Sequence, residues 1–204
     1  VEPFTTLAGG AIRLDGRNID TDQIIPARFL RNPRKSGYAD YLFHDVRFNP
    51  DGSANESFPL NQPANRGAQI LVAGENFGCG SSREGAVYAL LDYGIRCVIA
   101  PSFGDIFRNN CYKNGILAVA LDEAAIERLL AGHDPAAVVI VDLPGQIVAC
   151  GPASETFAIE PFWKECLLSG ADDIDMSLRH RERIEAFAKE HLATHPWLEL
   201  SPRA

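Results

Sequence analysis

Three glycines, two adjacent serines and an arginine fall within the eleven residues Gly74-Glu75-Asn76-Phe77-Gly78-Cys79-Gly80-Ser81-Ser82-Arg83-Glu84. Hydroxyls and a guanidinium delivered by a glycine-rich turn make a site for an anion. Arg83 offers a planar fork matched to a carboxylate, and Ser81 and Ser82 can donate to that carboxylate or act on its carbon skeleton. The apolar run at 69–73 predicts a buried strand. The pattern over 82–93 predicts a helix with Ala86, Ala89, Leu90 and Tyr93 on one stripe. The glycines then lie in a strand-to-helix turn, where unpaired backbone N–H groups and the helix dipole favour negative charge.

Other readings of the same residues are available. Ser81-x-x-Glu84 fits a capping box, with Ser81 as N-cap and Glu84 reaching back to its backbone. Against that reading as a full account stand the three glycines, the paired hydroxyls and an arginine placed where the helix dipole opposes cations. A Walker loop requires a lysine that this turn lacks, the glycine spacing misses the dinucleotide pattern, and no nucleophile elbow G-x-S-x-G is present. Cys79 sits near the helix start, but no histidine neighbours it in sequence to act as a base, so a structural or adjacent role is assigned to it.

The elements that must position this turn follow an α/β pattern. Residues 11–14 predict a short strand, 15–22 carry turn and cap chemistry, and 23–30 predict a short helix. Residues 32–67 are rich in Asn, Pro, Gly and Ser around the apolar group Tyr38, Tyr41, Leu42 and Phe43, and read as a lid or partner-binding loop. A second strand at 96–100, a helix at 105–112 and a strand at 116–121 follow. Asp122 predicts the cap of a helix running to Leu130, with Ile126, Leu129 and Leu130 inward and Gly132 stopping it. Residues 137–142 and 146–150 predict a hairpin, and 156–160 a further strand. Helices at 162–169 and 176–192 end the chain, the second with Ile184, Phe187, Ala188 and His191 on one face.

The 204 residues, 46% hydrophobic and 23% charged, suit one soluble domain over 1–204. A net charge of −8 and a pI near 5.1 argue against a nucleic-acid surface. Five scattered cysteines, Cys79, Cys97, Cys111, Cys150 and Cys166, suggest neither a disulfide framework nor a metal site, and fit a reducing cytoplasm. No apolar run approaches a membrane span and the start lacks a signal-peptide pattern. His44, His133, His180, His191 and His195 form no ligand pair, and His180 with Arg179, Arg181 and Arg183 reads as a solvated helix face.

The segment Asn18-Ile19-Asp20-Thr21-Asp22-Gln23-Ile24-Ile25-Pro26, then Arg28-Phe29-Leu30, then 74–84, then Asn109-Asn110-Cys111, resembles the small subunit of bacterial 3-isopropylmalate dehydratase, of the aconitase superfamily. The likeness runs in consistent order from about residue 4 to residue 190. It implies an α/β fold, the swivelling β/β/α domain of aconitase, here with a C-terminal helical extension and as a separate polypeptide. It also implies a large-subunit partner that carries a 4Fe–4S cluster, no metal being held by this chain, and a hydroxy-dicarboxylic acid substrate. The roles it implies are Ser81 as the base that takes a carbon-bound proton, and Ser82, Arg83 and Asp22 as substrate-binding residues. Arg28 to Arg31 correspond to the loop that selects the substrate's side group, where isopropylmalate requires an apolar wall, which Phe29 or Leu30 could supply, and tricarboxylates an arginine, with Arg28 and Arg31 flanking that pair. A related small subunit that acts on homoaconitate or citraconate stays open on that loop, as does a module that only binds a dicarboxylate.

Overall fold

The computed structural model describes residues 1–131 and 137–198, so Gly132 and His133 lie outside the described residues. In chain order the elements are β1 (Thr6–Gly9), β2 (Ala11–Arg13), α1 (Thr21–Ile24), a 3-10 turn (Ala27–Arg31), α2 (Tyr38–Tyr41), α3 (His44–Arg47), β3 (Ile70–Val72), α4 (Glu84–Tyr93), β4 (Cys97–Ala100), α5 (Asp105–Lys113), β5 (Leu117–Ala120), α6 (Glu123–Leu130), β6 (Val139–Asp142), β7 (Ile147–Cys150), β8 (Ala153–Thr156), α7 (Pro161–Ser169), α8 (Asp173–Leu178) and α9 (Arg181–Thr194).

The strands divide into two four-stranded sheets. One runs β2-β3-β4-β5 with every neighbour parallel, and the other runs β1-β6-β7-β8 with every neighbour antiparallel. The difference follows from composition. All residues of β3 and β4 are buried, as a parallel sheet covered on both faces demands, whereas β6 alternates buried Val139 and Val141 with the exposed Ile140. The chain passes from one sheet to the other at Gly10, between β1 and β2, so residues 6–13 join the two sheets.

Helix caps explain several boundaries. Asp122 accepts from the Ala125 amide at 2.7 Å and starts α6, which buries Ile126, Leu129 and Leu130. Gly94, in the left-handed region at φ 108°, ends α4. No helix among the described residues is long and apolar enough to cross a membrane.

The structure departs from the sequence pattern at several places. The helix predicted over 23–30 is α1 followed by the 3-10 turn, because Pro26 has no N–H and disfavours helix at the residue before it. Residues 32–67 are not structureless: they hold α2, α3 and short 3-10 turns, bury Tyr38, Leu42, Phe43 and Leu60, and fasten to α4 through Tyr93 Oη, which donates to the Leu60 carbonyl at 2.8 Å. Buried Arg47 knits this segment by donating to the carbonyls of Ala39 and Leu42. Elements of four residues are too short to show periodicity. β1 gave no signal in a run of small residues, and the strand predicted at 156–160 lies earlier, as β8. The helix predicted over 176–192 breaks at Arg179–His180 into α8 and α9, and the face that carries Ile184 and Phe187 is turned outward, the two side chains being 49% and 66% exposed. Of that stripe His191 stacks on His195, while Ile184 and Phe187 stay exposed.

Candidate active site at the glycine-rich turn

The turn from Gly74 to Gly80 leaves the C-terminal end of β3 and is held between two neighbouring loops. On one side the Gly78 amide donates to the Ile19 carbonyl at 2.8 Å and the Thr21 amide to the Cys79 carbonyl at 3.0 Å. On the other, the Phe77 amide donates to the Ser102 carbonyl at 3.0 Å and the Gly104 amide to the Phe77 carbonyl at 2.9 Å. The loops after β2, β3 and β4 thus form one hydrogen-bonded layer above the parallel sheet.

Glycine is required here for two reasons. Gly78 sits at φ 71°, and a Cβ there would lie 2.2 Å from the Phe107 ring. Gly74 lies so close to Gly16 that a Cβ would meet its carbonyl oxygen at 2.2 Å. Gly78→Ala is therefore expected to destabilise the isolated chain by roughly 1–3 kcal/mol, the cost of overpacking together with a strained φ, read from the urea midpoint. A midpoint equal to that of the unsubstituted chain would contradict the close packing against Phe107.

Beyond Gly80 the chain does not enter the helix at once. α4 begins at Glu84 with Arg83 in extended conformation at its N-cap, without a side-chain cap. The predicted start at 82 and the capping box are both corrected: Glu84 Oε1 accepts from Asn114 Nδ2 at 2.8 Å, and Ser81 is not the N-cap. A cap would have tied up the Ser81 hydroxyl; instead Ser81 and Ser82 are exposed, and their hydroxyls bond to no group among the described residues. The amides of Gly80, Ser81 and Ser82 likewise meet no acceptor among the described residues. Three successive N–H groups and two hydroxyls are thus left free on exposed residues, a set of donors open to an anion. Thr21, 1% exposed, holds it by donating from Oγ1 to the Ser81 carbonyl at 3.1 Å, a contact that the sequence did not disclose.

Asp22 and Arg83 meet. The Arg83 side chain is 22% exposed, and its Nη1, sealed from solvent, faces Asp22 Oδ1 as an ion pair without hydrogen-bond alignment. The Arg83 guanidinium holds the Asp22 carboxyl below its ordinary 3.8. A depressed carboxyl contributes above its unfolded value, so the pair persists at neutral pH and is lost as acid takes the pH through the lowered value. Asp22 is not a helix cap: Asp20 caps α1, accepting from the Gln23 amide at 2.8 Å, while Asp22 Oδ1 accepts from the Ala27 amide at 3.2 Å.

The selecting loop divides into two parts. Leu30 nests against the first turn of α4, where a Cβ on Gly85 would lie 2.6 Å from its Cδ2. Phe29 stacks flat on Tyr41 with centroids 4.3 Å apart, and Arg28 lies over the Phe29 ring while pairing with Asp45. Leu30 is thereby brought beside the Arg83 turn, and Arg28 and Phe29 into an aromatic cluster with Tyr41 and His44. Arg31 is exposed and has no ion pair among the described residues.

Neighbouring features do different work. A cleft of about 150 Å³ at the ends of the parallel strands includes Arg13, Asp15, Arg17, Glu123 and Glu127 but none of Ser81, Ser82 and Arg83, and both of its arginines are already engaged by its carboxylates. Cys97, Cys111, Cys150 and Cys166 are buried, and burial pushes the Cys97 and Cys111 thiols up. Among the described residues no three His, Cys, Asp or Glu side chains converge as a metal site, so those residues offer no ligand set for an iron–sulfur cluster.

Residues 1–124 match the aconitase C-terminal domain family, and residues 173–201 match the family of the C-terminal domain of the 3-isopropylmalate dehydratase small subunit. The 3-isopropylmalate dehydratase small subunit of Rhodospirillum centenum is 52% identical over 97% of this chain and 98% of its own length. The chain belongs to the 3-isopropylmalate dehydratase small subunits. That of Dinoroseobacter shibae is 50% identical over 97% of this chain and 100% of its own. The crystal structure of a 3-isopropylmalate dehydratase from Methanocaldococcus jannaschii superposes with a TM-score of 0.60 at 26% identity, covering 90% of this chain and 99% of that one. The family assignment accounts for the two-part sequence match, a swivel-type domain followed by the small-subunit segment that includes α9.

Proposed function

We propose that this chain is the small subunit of 3-isopropylmalate dehydratase, a hydro-lyase that interconverts 2-isopropylmalate and 3-isopropylmalate by dehydration and rehydration, a step of leucine biosynthesis. The observation that carries the proposal is the free donor surface of Gly80, Ser81 and Ser82, presented outward in a chain whose relatives are small subunits of that enzyme. The large subunit is the partner, and the 4Fe–4S cluster is assigned to it.

In this reading Ser81 takes the proton from the carbon next to a carboxylate, that C–H electron pair forms the new double bond, and the hydroxyl leaves from the neighbouring carbon. Rehydration reverses these steps with the hydroxyl at the other carbon. A serine serves as base only when its oxyanion is stabilised, which the free N–H groups and the Arg83 cation supply. Ser82 and Arg83 hold a substrate carboxylate, Arg83 through its planar fork. Leu30, beside the first turn of α4, is the nearer candidate for the wall against the isopropyl group, and Phe29 lies in the cluster behind it. The segment over 32–67, packed on α4, is then a surface for the large subunit rather than a loose lid.

The test is reconstitution: the purified chain and the large subunit are mixed anaerobically and formation of the unsaturated acid is followed by absorbance. Turnover of 2-isopropylmalate by the mixture and by neither component alone is expected. Preference for homoaconitate or citraconate would move the assignment to a related hydro-lyase, and binding of a dicarboxylate without turnover would make the chain a binding module.

A further inference from the structure

A second carboxylate in a site that must grip a dicarboxylic acid is out of place as a ligand, since like charges at close range repel. Asp22 nevertheless lies against Arg83, and the same Oδ1 reaches the Ala27 amide at 3.2 Å, the first residue of the turn that carries Arg28, Phe29 and Leu30. At its other end that turn is seated by Leu30 on Gly85, two residues beyond Arg83, where a Cβ would lie 2.6 Å from Leu30 Cδ2. One carboxylate and one glycine therefore clamp the Ala27–Arg31 turn to the start of α4.

We propose that Asp22 is a positioning residue, which orients the Arg83 fork and fastens the side-group-selecting turn to it, so that carboxylate grip and side-group selection are one mechanical unit. The proposal rests on the hydro-lyase reading and deepens it. Only Nη1 of Arg83 faces Asp22, and Nε and Nη2 bond to no group among the described residues, which leaves those donors for an incoming carboxylate while the orientation is kept. Because the Asp22 side chain is 54% exposed, its replacement removes the clamp without opening a cavity in the core.

The experiment is a double-mutant cycle in the reconstituted two-subunit enzyme with Asp22→Asn, Arg83→Lys and the pair. Asp22→Asn alone is expected to lower kcat/KM for 2-isopropylmalate about tenfold or more, and less than about threefold when Arg83 is already lysine. It is also expected to narrow the preference for 2-isopropylmalate over its methyl-bearing analogue, a readout that a loss of fold would not move. Losses that multiply independently would overturn the proposal, since Asp22 would then act on the substrate directly. Absence of turnover by the unsubstituted enzyme would instead refute the hydro-lyase reading itself.

Discussion

Ser81→Ala is expected to lower turnover of 2-isopropylmalate by about 10²–10⁴-fold in the reconstituted enzyme, the range that a positioned general base contributes. The substitution removes one oxygen from an exposed side chain that bonds to no described group, so neither the fold nor association with the large subunit has reason to change. Assembly measured by size-exclusion chromatography and KM should stay near those of the unsubstituted protein while kcat collapses, the signature of an interaction made in the transition state. Near-normal kcat would remove Ser81 from the role of base.

Arg83→Lys is expected to lower kcat/KM by about 10- to 150-fold, the equivalent of one lost charge-assisted hydrogen bond of about 1.5–3 kcal/mol. Lysine keeps the charge but is a single point on a flexible stem, and it cannot satisfy Asp22 and a substrate carboxylate in two directions at once. KM should rise in this variant, in contrast to Ser81→Ala, because the contact with the carboxylate exists before the reaction begins. An unchanged KM would show that Arg83 serves Asp22 alone.

The difference between what the sequence disclosed and what it concealed follows from the range of each signal. The strand-turn-helix unit around Gly74–Glu84 was legible because buried apolar runs, glycines and an amphipathic stripe are local features, and β3 and α4 frame the turn as read. The Asp122 cap and the hairpin of β6 and β7 were legible for the same reason. The Asp22–Arg83 pair spans 61 positions, 83 minus 22, and no local pattern announces it. The capping-box pattern misled because a tetrapeptide motif is satisfied only if the helix starts where the motif requires; Arg83 stays extended, and Asn114 takes Glu84 instead. The amphipathic face of α9 was visible as periodicity, but periodicity says only that a face is apolar. Whether this chain covers it is a question of tertiary packing, and Ile184 and Phe187 remain exposed.

Arg28, Phe29 and Leu30 show the same division within one turn. Sequence grouped them as a single selecting loop, whereas the fold sends Arg28 to Asp45, Phe29 to Tyr41 and Leu30 to Gly85. Only the last of these contacts lies on the turn that carries Arg83, which is why side-group selection is expected to be felt most at Leu30.

The most direct measurement for the composite site is hydrogen exchange at the amides of Gly80, Ser81 and Ser82, followed in the isolated chain, in the chain with 2-isopropylmalate, and in the chain with both the acid and the large subunit. These amides should exchange fast in the first two samples and become protected only in the third. Protection by the acid alone, or fast exchange persisting in the assembled and substrate-bound enzyme, would contradict a site that two polypeptides complete around this turn.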